Sequence, residues 1–119
     1  VLLETLQQYI ASGITATVYI DFLPAQPDDA VCIRGYGGMQ STDMYYDTEN
    51  IQIISRATSY NIAKYNAYVI YRAIHMYSNS DIRVVDIFAM QPPYFLGRDD
   101  LKRYTFVNNY RVDLLRETV

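Results

Sequence analysis

Between Ile14 and Phe22 every second residue is apolar: Ile14, Ala16, Val18, Ile20 and Phe22 alternate with Thr15, Thr17, Tyr19 and Asp21. Only a strand with one buried face satisfies a period of two, so the chain must build a sheet and must also supply something to cover it. The cover is written on both sides of this stretch. Leu2, Leu3, Leu6 and Ile10 recur at helical spacing with Glu4, Gln7 and Gln8 between them, and Gly13 supplies a C-terminal stop. Further on, Thr58 or Ser59 is placed to cap a second helix that continues to about Tyr77. On a helical wheel Ile62, Ala63, Asn66, Ala67, Val69, Ile70, Ala73, Ile74 and Tyr77 share one broad face, the expected core face. Lys64, Tyr68, Tyr71, Arg72 and His75 share the other, which carries more aromatic surface than solvation requires and suits either protein contact or plain solvent.

The remaining sheet follows from turn chemistry and alternation. Residues 24–29 form a turn by their Pro and Asp content, after which Val31 and Ile33 mark a strand expected to pair back on the first as a hairpin. Residues 36–49 are rich in Gly and small polar side chains and read as a long loop, with Tyr36, Met39, Met44, Tyr45 and Tyr46 as candidate contact anchors. Ile51, Ile53 and Ile54 resume a strand. Residues 82–90 are apolar on both sides, which points to a central strand, and Pro92 and Pro93 end it. Tyr104, Phe106, Tyr110, Val112 and Leu114 then alternate through a long closing strand. The order is α-β-β-β-α-β-β: a single α+β domain, a mostly antiparallel sheet with two helices packed on one face.

At 119 residues the chain is long enough to bury about two-thirds of the surface its unfolded form exposes, without staples. Cys32 is the only cysteine, which excludes an intrachain disulfide and any multi-cysteine metal site and fits a small buried hydrophobe in a reducing cytoplasm. No apolar run reaches the roughly 18 residues of a membrane span, and no signal-peptide pattern is present, so a soluble chain without membrane partner is expected. A net charge of −3 with both signs interspersed argues against a nucleic-acid-reading groove, yet it suits a wall that DNA slides past. Thirteen tyrosines without a tryptophan either line strands or supply interface area.

Nothing in the chain assembles a catalytic constellation. Cys32 and His75 form the only possible Cys/His dyad and nothing in the sequence brings them together. His75 lacks the neighbours of a metal site, and the glycines of residues 35–38 lack the spacing and the lysine of a phosphate loop. Asp28-Asp29 and Asp99-Asp100 sit in turns, where a carboxylate caps local backbone; Asp99 is placed to cap a turn through Lys102 or to pair with Arg98 or Arg103. No enzyme activity and no cofactor are expected.

The last quarter is the most distinctive part: Gln91-Pro92-Pro93-Tyr94, then the Leu96-Gly97-Arg98-Asp99 turn, then Arg103-Tyr104-Thr105-Phe106 with residues 108–112. With the helix, hairpin, long loop, second helix and closing strands before it, this stretch resembles the tail terminators of siphophages, including the phage minor capsid proteins of Gram-positive hosts. The resemblance implies a virion structural protein, assembled in the host cytoplasm. It would be a ring, usually of six subunits, that caps the last tail-tube ring, stops polymerisation and presents the face to which the DNA-filled head docks. Its implied partners are further copies of itself, the major tail tube protein, a head-tail connector or head-completion protein, and genomic DNA passing without sequence-specific binding. The loop anchors, the outer face of the second helix (Lys64, Tyr68, Tyr71, Arg72, His75) and the turn carrying Tyr94, Phe95, Arg98 and Lys102 are then the candidate interface residues. Pro92, Pro93 and Gly97 are expected to hold that turn clear of the sheet without burial. A neighbouring neck component such as a head-completion adaptor is the alternative; a small α+β ligand-binding domain or enzyme would need convergent polar groups in an apolar cleft, which the sequence does not display.

Overall fold

The computed structural model describes residues 2–40 and 46–115, apart from the side chains of Met39 and Gln40. The first amphipathic segment forms helix α1, Leu2–Ala11, and buries Leu6 and Ile10. Strand β1 is Thr17–Ile20, shorter than the alternation that announces it, because Asp21 takes a left-handed conformation (φ 67°) and Phe22 turns out to 71% exposure. Strands β2, Ala30–Gln40, and β3, Tyr46–Ala57, follow. Helix α2 is Tyr60–Ile74, and the Ser59 hydroxyl accepts from the Ile62 N–H as its cap. A 3-10 turn at Ser80–Ile82 leads to β4, Val84–Ala89, then β5, Tyr94–Arg98, and β6, Tyr104–Leu115.

All six strands form one sheet in the order β1-β2-β3-β6-β4, with β5 also paired to β6. The helices and strands thus follow the order read from the sequence, with β5 added. Every pairing is antiparallel except β1 with β2, which is parallel in the register Val18↔Val31. The expected β1–β2 hairpin is therefore corrected. Because β1 has only four residues, residues 21–29 suffice to carry the chain back to its start, where parallel strands of ordinary length need a longer crossover.

Of the expected loop 36–49, the described residues 36–40 and 46–49 are strand. They prolong β2 and β3 into an antiparallel arm, paired from Gly38↔Glu49 to Gln40↔Asp47. β6 runs alongside this arm as far as Tyr46↔Leu115. The register shifts between Gly35 and Gly38, where Tyr36 and Gly37 stand opposite Asn50 and Gly37 takes φ 104°. Gly38 is required on different grounds: a Cβ there would lie 2.0 Å from the Thr48 carbonyl oxygen. The arm contributes to an elongated shape, with extents of 47 × 24 × 22 Å.

The core lies between the helices and one sheet face, built from Leu6, Ile10, Ile70 and Ile74 against Val31, Ile33, Ile51, Ile53, Ile87, Tyr110 and Val112. A smaller cluster joins Ala63 and Ala67 of α2 to Ala57 and Phe106. Ile62, expected in the core, is 45% exposed, since Ala63 and Ala67 take the contact with the sheet and leave Ile62 on the flank.

β4 is an edge strand, not a central one. Its free side is covered by the end of α2: the Met76 N–H donates to the Ile87 carbonyl and the Ala89 N–H donates to His75 Nδ1 at 3.0 Å. Val84 and Ile87 of β4 are buried, whereas Val85 is 36% exposed and Phe88 is half-buried against His75. α2 stops at Ile74, before the expected Tyr77, because Met76 turns left-handed (φ 67°) to make the first of these bonds.

Candidate interaction surfaces

Three surfaces carry the candidate residues. On the arm, Tyr36 is 47% exposed and its hydroxyl lies 3.9 Å from Met90 Sδ, while Tyr46 opens β3 at 38% exposure. Burial, and then the nearby Tyr94, push the Tyr36 hydroxyl up from its ordinary pKa. Met44 and Tyr45 lie outside the described residues, as does the Met39 side chain. A shallow open groove of about 610 Å³ runs along the arm, lined by Gly35, Gly37 and Gly38 of β2 and by residues 47–50 of β3. It lies where the core ends: Ile51 is buried, whereas Glu49, next on the same face, is exposed.

The second surface is the outer side of α2, and it divides in two. Lys64 and Arg72 are exposed, with the Lys64 ammonium 5.9 Å from the Tyr68 ring centre. Tyr71 and His75 are half-buried and stack on each other at 5.6 Å, while His75 also meets Phe88 edge-on at 6.0 Å. His75 therefore ties α2 to β4. Tyr68 bridges the two parts, edge-to-face with Tyr71 at 6.0 Å.

The third surface is β5 and the turn after it. Tyr94, Phe95 and Leu96 are 42%, 43% and 62% exposed, and Leu101 is 61% exposed. Leu96 projects at a register shift between Phe95 and Gly97, and Gly97 takes φ 139°. Phe95 packs on Tyr60, Tyr104 and Phe106 with ring centres 5.4, 6.2 and 5.5 Å away. Arg98 stacks its guanidinium 5.0 Å from the centre of the Tyr104 ring, and Lys102 is exposed with φ 63°. This segment was expected to stand off the sheet, held by its prolines and Gly97 without burial. Instead its first half pairs with β6, Pro93 is buried, and Arg103 anchors its end.

The sequence shows Arg103 only as a possible partner of Asp99 and gives Arg56 no role, yet both are buried. Arg103 is 6% exposed; its Nε donates to Asp99 Oδ2 at 2.8 Å, and its Nη1 donates to the Ala25 carbonyl and to Asp28 Oδ1. Asp99 Oδ1 accepts from the Leu101 and Arg103 N–H groups, so this carboxylate both caps the turn and pairs with Arg103. Arg56, 4% exposed, donates to the carbonyls of Pro24, Pro27 and Asp28. Desolvation and the charge of Arg103 draw its pKa below the ordinary value. Together the two arginines fasten residues 24–28 over the outer sheet face, where Cys32 and Val107 are buried. The Asp99–Arg103 spacing was legible as a possible pair; burial of Arg56 at the end of an alternating strand had no local signal.

At the base of the arm Asp86 and Asp113 are cross-strand partners. Burial, then a hydrogen bond and repulsion from Asp113, hold the Asp86 carboxyl above its ordinary pKa, with Arg111 opposing. Asp113 accepts from the Thr48 hydroxyl at 3.2 Å. Among the described residues no group of three or more His, Cys, Asp or Glu is placed to hold a metal, and no helix is long and apolar enough to cross a membrane. Cys32 is buried away from His75, and burial raises its thiol pKa.

An elongated six-stranded domain with apolar residues on open strand edges is built for contact with other proteins. The family described as bacteriophage tail terminator protein matches residues 3–116. The chain belongs to that family. Among solved structures it is similar to a chain of the virion of a native gene transfer agent particle, with a TM-score of 0.68 at 14% identity, covering 93% of this chain and 95% of the other. At that identity the likeness concerns the fold. No curated protein matches. The tail terminator is a structural component of the phage virion, not an enzyme.

Proposed function

We propose that this tail terminator closes as a ring of six subunits on the last ring of the tail tube, stops tube polymerisation, and offers its opposite face to the head-tail connector or head-completion protein. The observation that carries this reading is the match to the terminator family over residues 3–116. The geometry supports it through a sheet whose two sides differ. One side bears the projecting arm and the other bears β5 with Tyr94, Phe95, Arg98 and Lys102, so contacts between copies are between unlike surfaces and close by rotation. Tyr36 and Tyr46 of the arm, together with Met39, Met44 and Tyr45, and the exposed Lys64 and Arg72 of α2 with Tyr68, are the contact residues of this reading. Tyr71 and His75 support that face from beneath. A net charge of −3 lets DNA pass without being held.

The test is to add purified protein to polymerising tail tube protein and to measure tube lengths and end structures by electron microscopy. Shortened tubes bearing a six-fold ring at one end are expected. Tubes of unchanged length, with the protein bound instead to isolated head connectors, would move the function to a head-completion adaptor.

A further inference from the structure

Among the described residues two open strand edges are short or covered. β1 has four residues, and the free side of β4 is capped by the Met76 N–H and by His75. Among the described residues two edges have neither protection. β2 pairs with β1 only through Ile33, so Gly35–Gln40 face outward on that side. β5 pairs with β6 on one side and is open on the other. The two lie on opposite margins of the same sheet, and they match in length, six residues against five. Long open edges are normally blunted because they invite another chain; here both are bordered by features suited to receive one.

The features are complementary. The β2 edge borders the groove, lined on β2 by Gly35, Gly37 and Gly38, which carry no side chain, and on β3, its acidic floor, by Asp47, Thr48, Glu49 and Asn50. The β5 edge presents apolar Leu96 at a bulge, with the cations Arg98 and Lys102 beside it. We propose that β5 of one copy adds to the Gly35–Gln40 edge of the next, placing Leu96 in the glycine groove and Arg98 against the acidic floor. The sheet then runs from subunit to subunit. Main-chain hydrogen bonds give the affinity, as in other strand additions, and the groove and charges fix the register. This inference rests on the ring reading and specifies its lateral contact.

Two experiments decide it, both on the full chain assembled at the end of tail tubes. In the first, Glu49→Cys and Leu96→Cys are combined and treated with a short bismaleimide, because β2 lies between the two positions and two strand spacings, about 10 Å, exceed the reach of a disulfide, and the products are read on a denaturing gel. The native Cys32, 1% exposed, stays silent. A ladder of covalent multimers up to the ring number is expected from the double variant and not from either single one. Rings visible by microscopy but yielding no ladder would overturn the contact and leave the ring standing, whereas absence of rings from the unaltered protein would remove both.

The second experiment is a charge exchange. Arg98→Glu or Glu49→Arg alone should weaken ring assembly at least about tenfold by placing like charges together, and the double variant should recover most of the loss. Additive losses, with both variants folded by circular dichroism, would also overturn the contact.

Discussion

Replacing Arg103 by Met tests how the outer sheet face is held. The substitution keeps an apolar stem of similar length and removes a guanidinium that is almost fully buried, with 7% of its side chain exposed. What is lost is the bond to Asp99 at 2.8 Å, the bond to the Ala25 carbonyl and the longer contact to Asp28 at 3.3 Å. Truncating one partner of a fully buried pair costs about 3–5 kcal/mol, mostly through the charge left behind. Here the charges left behind are partly wet: the Asp28 side chain is 47% exposed and that of Asp99 31%. Asp99 also keeps the N–H groups of Leu101 and residue 103. The expected loss is therefore lower, about 2–3 kcal/mol, at the level of hydrogen bonds to charged groups. For a chain of this size that lowers Tm by roughly 8–15 °C.

Two readouts separate this account from general destabilisation. Limited proteolysis should cut residues 22–29 of the Met variant well before the sheet unfolds, because Arg103 is one of two side chains fastening that segment. The pH dependence follows from Asp99. Burial alone would raise its pKa, but the Arg103 N–H, the guanidinium and its charge, and the Leu101 N–H together hold it below the ordinary carboxylate value. A carboxylate lowered in the folded state adds stability above its unfolded pKa and loses it as pH falls through the folded one. The gap between the native protein and Asp99→Asn should thus be full at neutral pH and close below about pH 4. A Met variant within about 0.5 kcal/mol of the native protein, with residues 22–29 still protected, would refute the argument, since that is the range of substitutions touching nothing.

Gly38→Ala places a methyl group against the Thr48 carbonyl and should raise hydrogen exchange through the arm and abolish tube capping, with Tm lowered by only a few degrees. Asp86→Asn should raise Tm at pH 7, because the ionised carboxylate is disfavoured in the fold; the gain should disappear as pH falls below the ordinary carboxylate value, and a gain that persists in acid would point to packing. Charge reversal at Lys64 and Arg72 together should weaken assembly while Tm stays within a few degrees, exposed charges contributing little to folding; unchanged ring formation would mark this face as plain solvated surface. Phe95→Ala should cost about 1.5–2.5 kcal/mol, less than a fully buried aromatic because the ring is 43% exposed, and a larger loss without an assembly defect would reassign it to the core.

What the sequence disclosed and what it hid follow the reach of the forces involved. α1, α2 and β6 were legible because each repeats its apolar residues locally, and Ser59 and Gly13 mark helix ends by backbone chemistry that acts within a turn. The arm was not, because Gly35, Gly37 and Gly38 have low strand propensity and pairing with Glu49 or Thr48 is decided across the sheet. The same holds for β5, read as a turn because Pro92, Pro93 and Gly97 flank or interrupt it; its pairing to residues 104–107 is a property of β6.

β4 shows a related error in a more general form. Apolar residues on both faces mark burial, and burial was equated with a central position. In the fold only Val84 and Ile87 of this strand are buried and Val85 is 36% exposed, and the free edge is closed by the end of α2, with His75 accepting from Ala89. A histidine that looked outward on the wheel is thus the residue that closes one margin of the sheet. Among the described residues the margins of β2 and β5 have no such residue, and the same rule of edge protection that explains His75 is why we assign these two edges to contact with another chain.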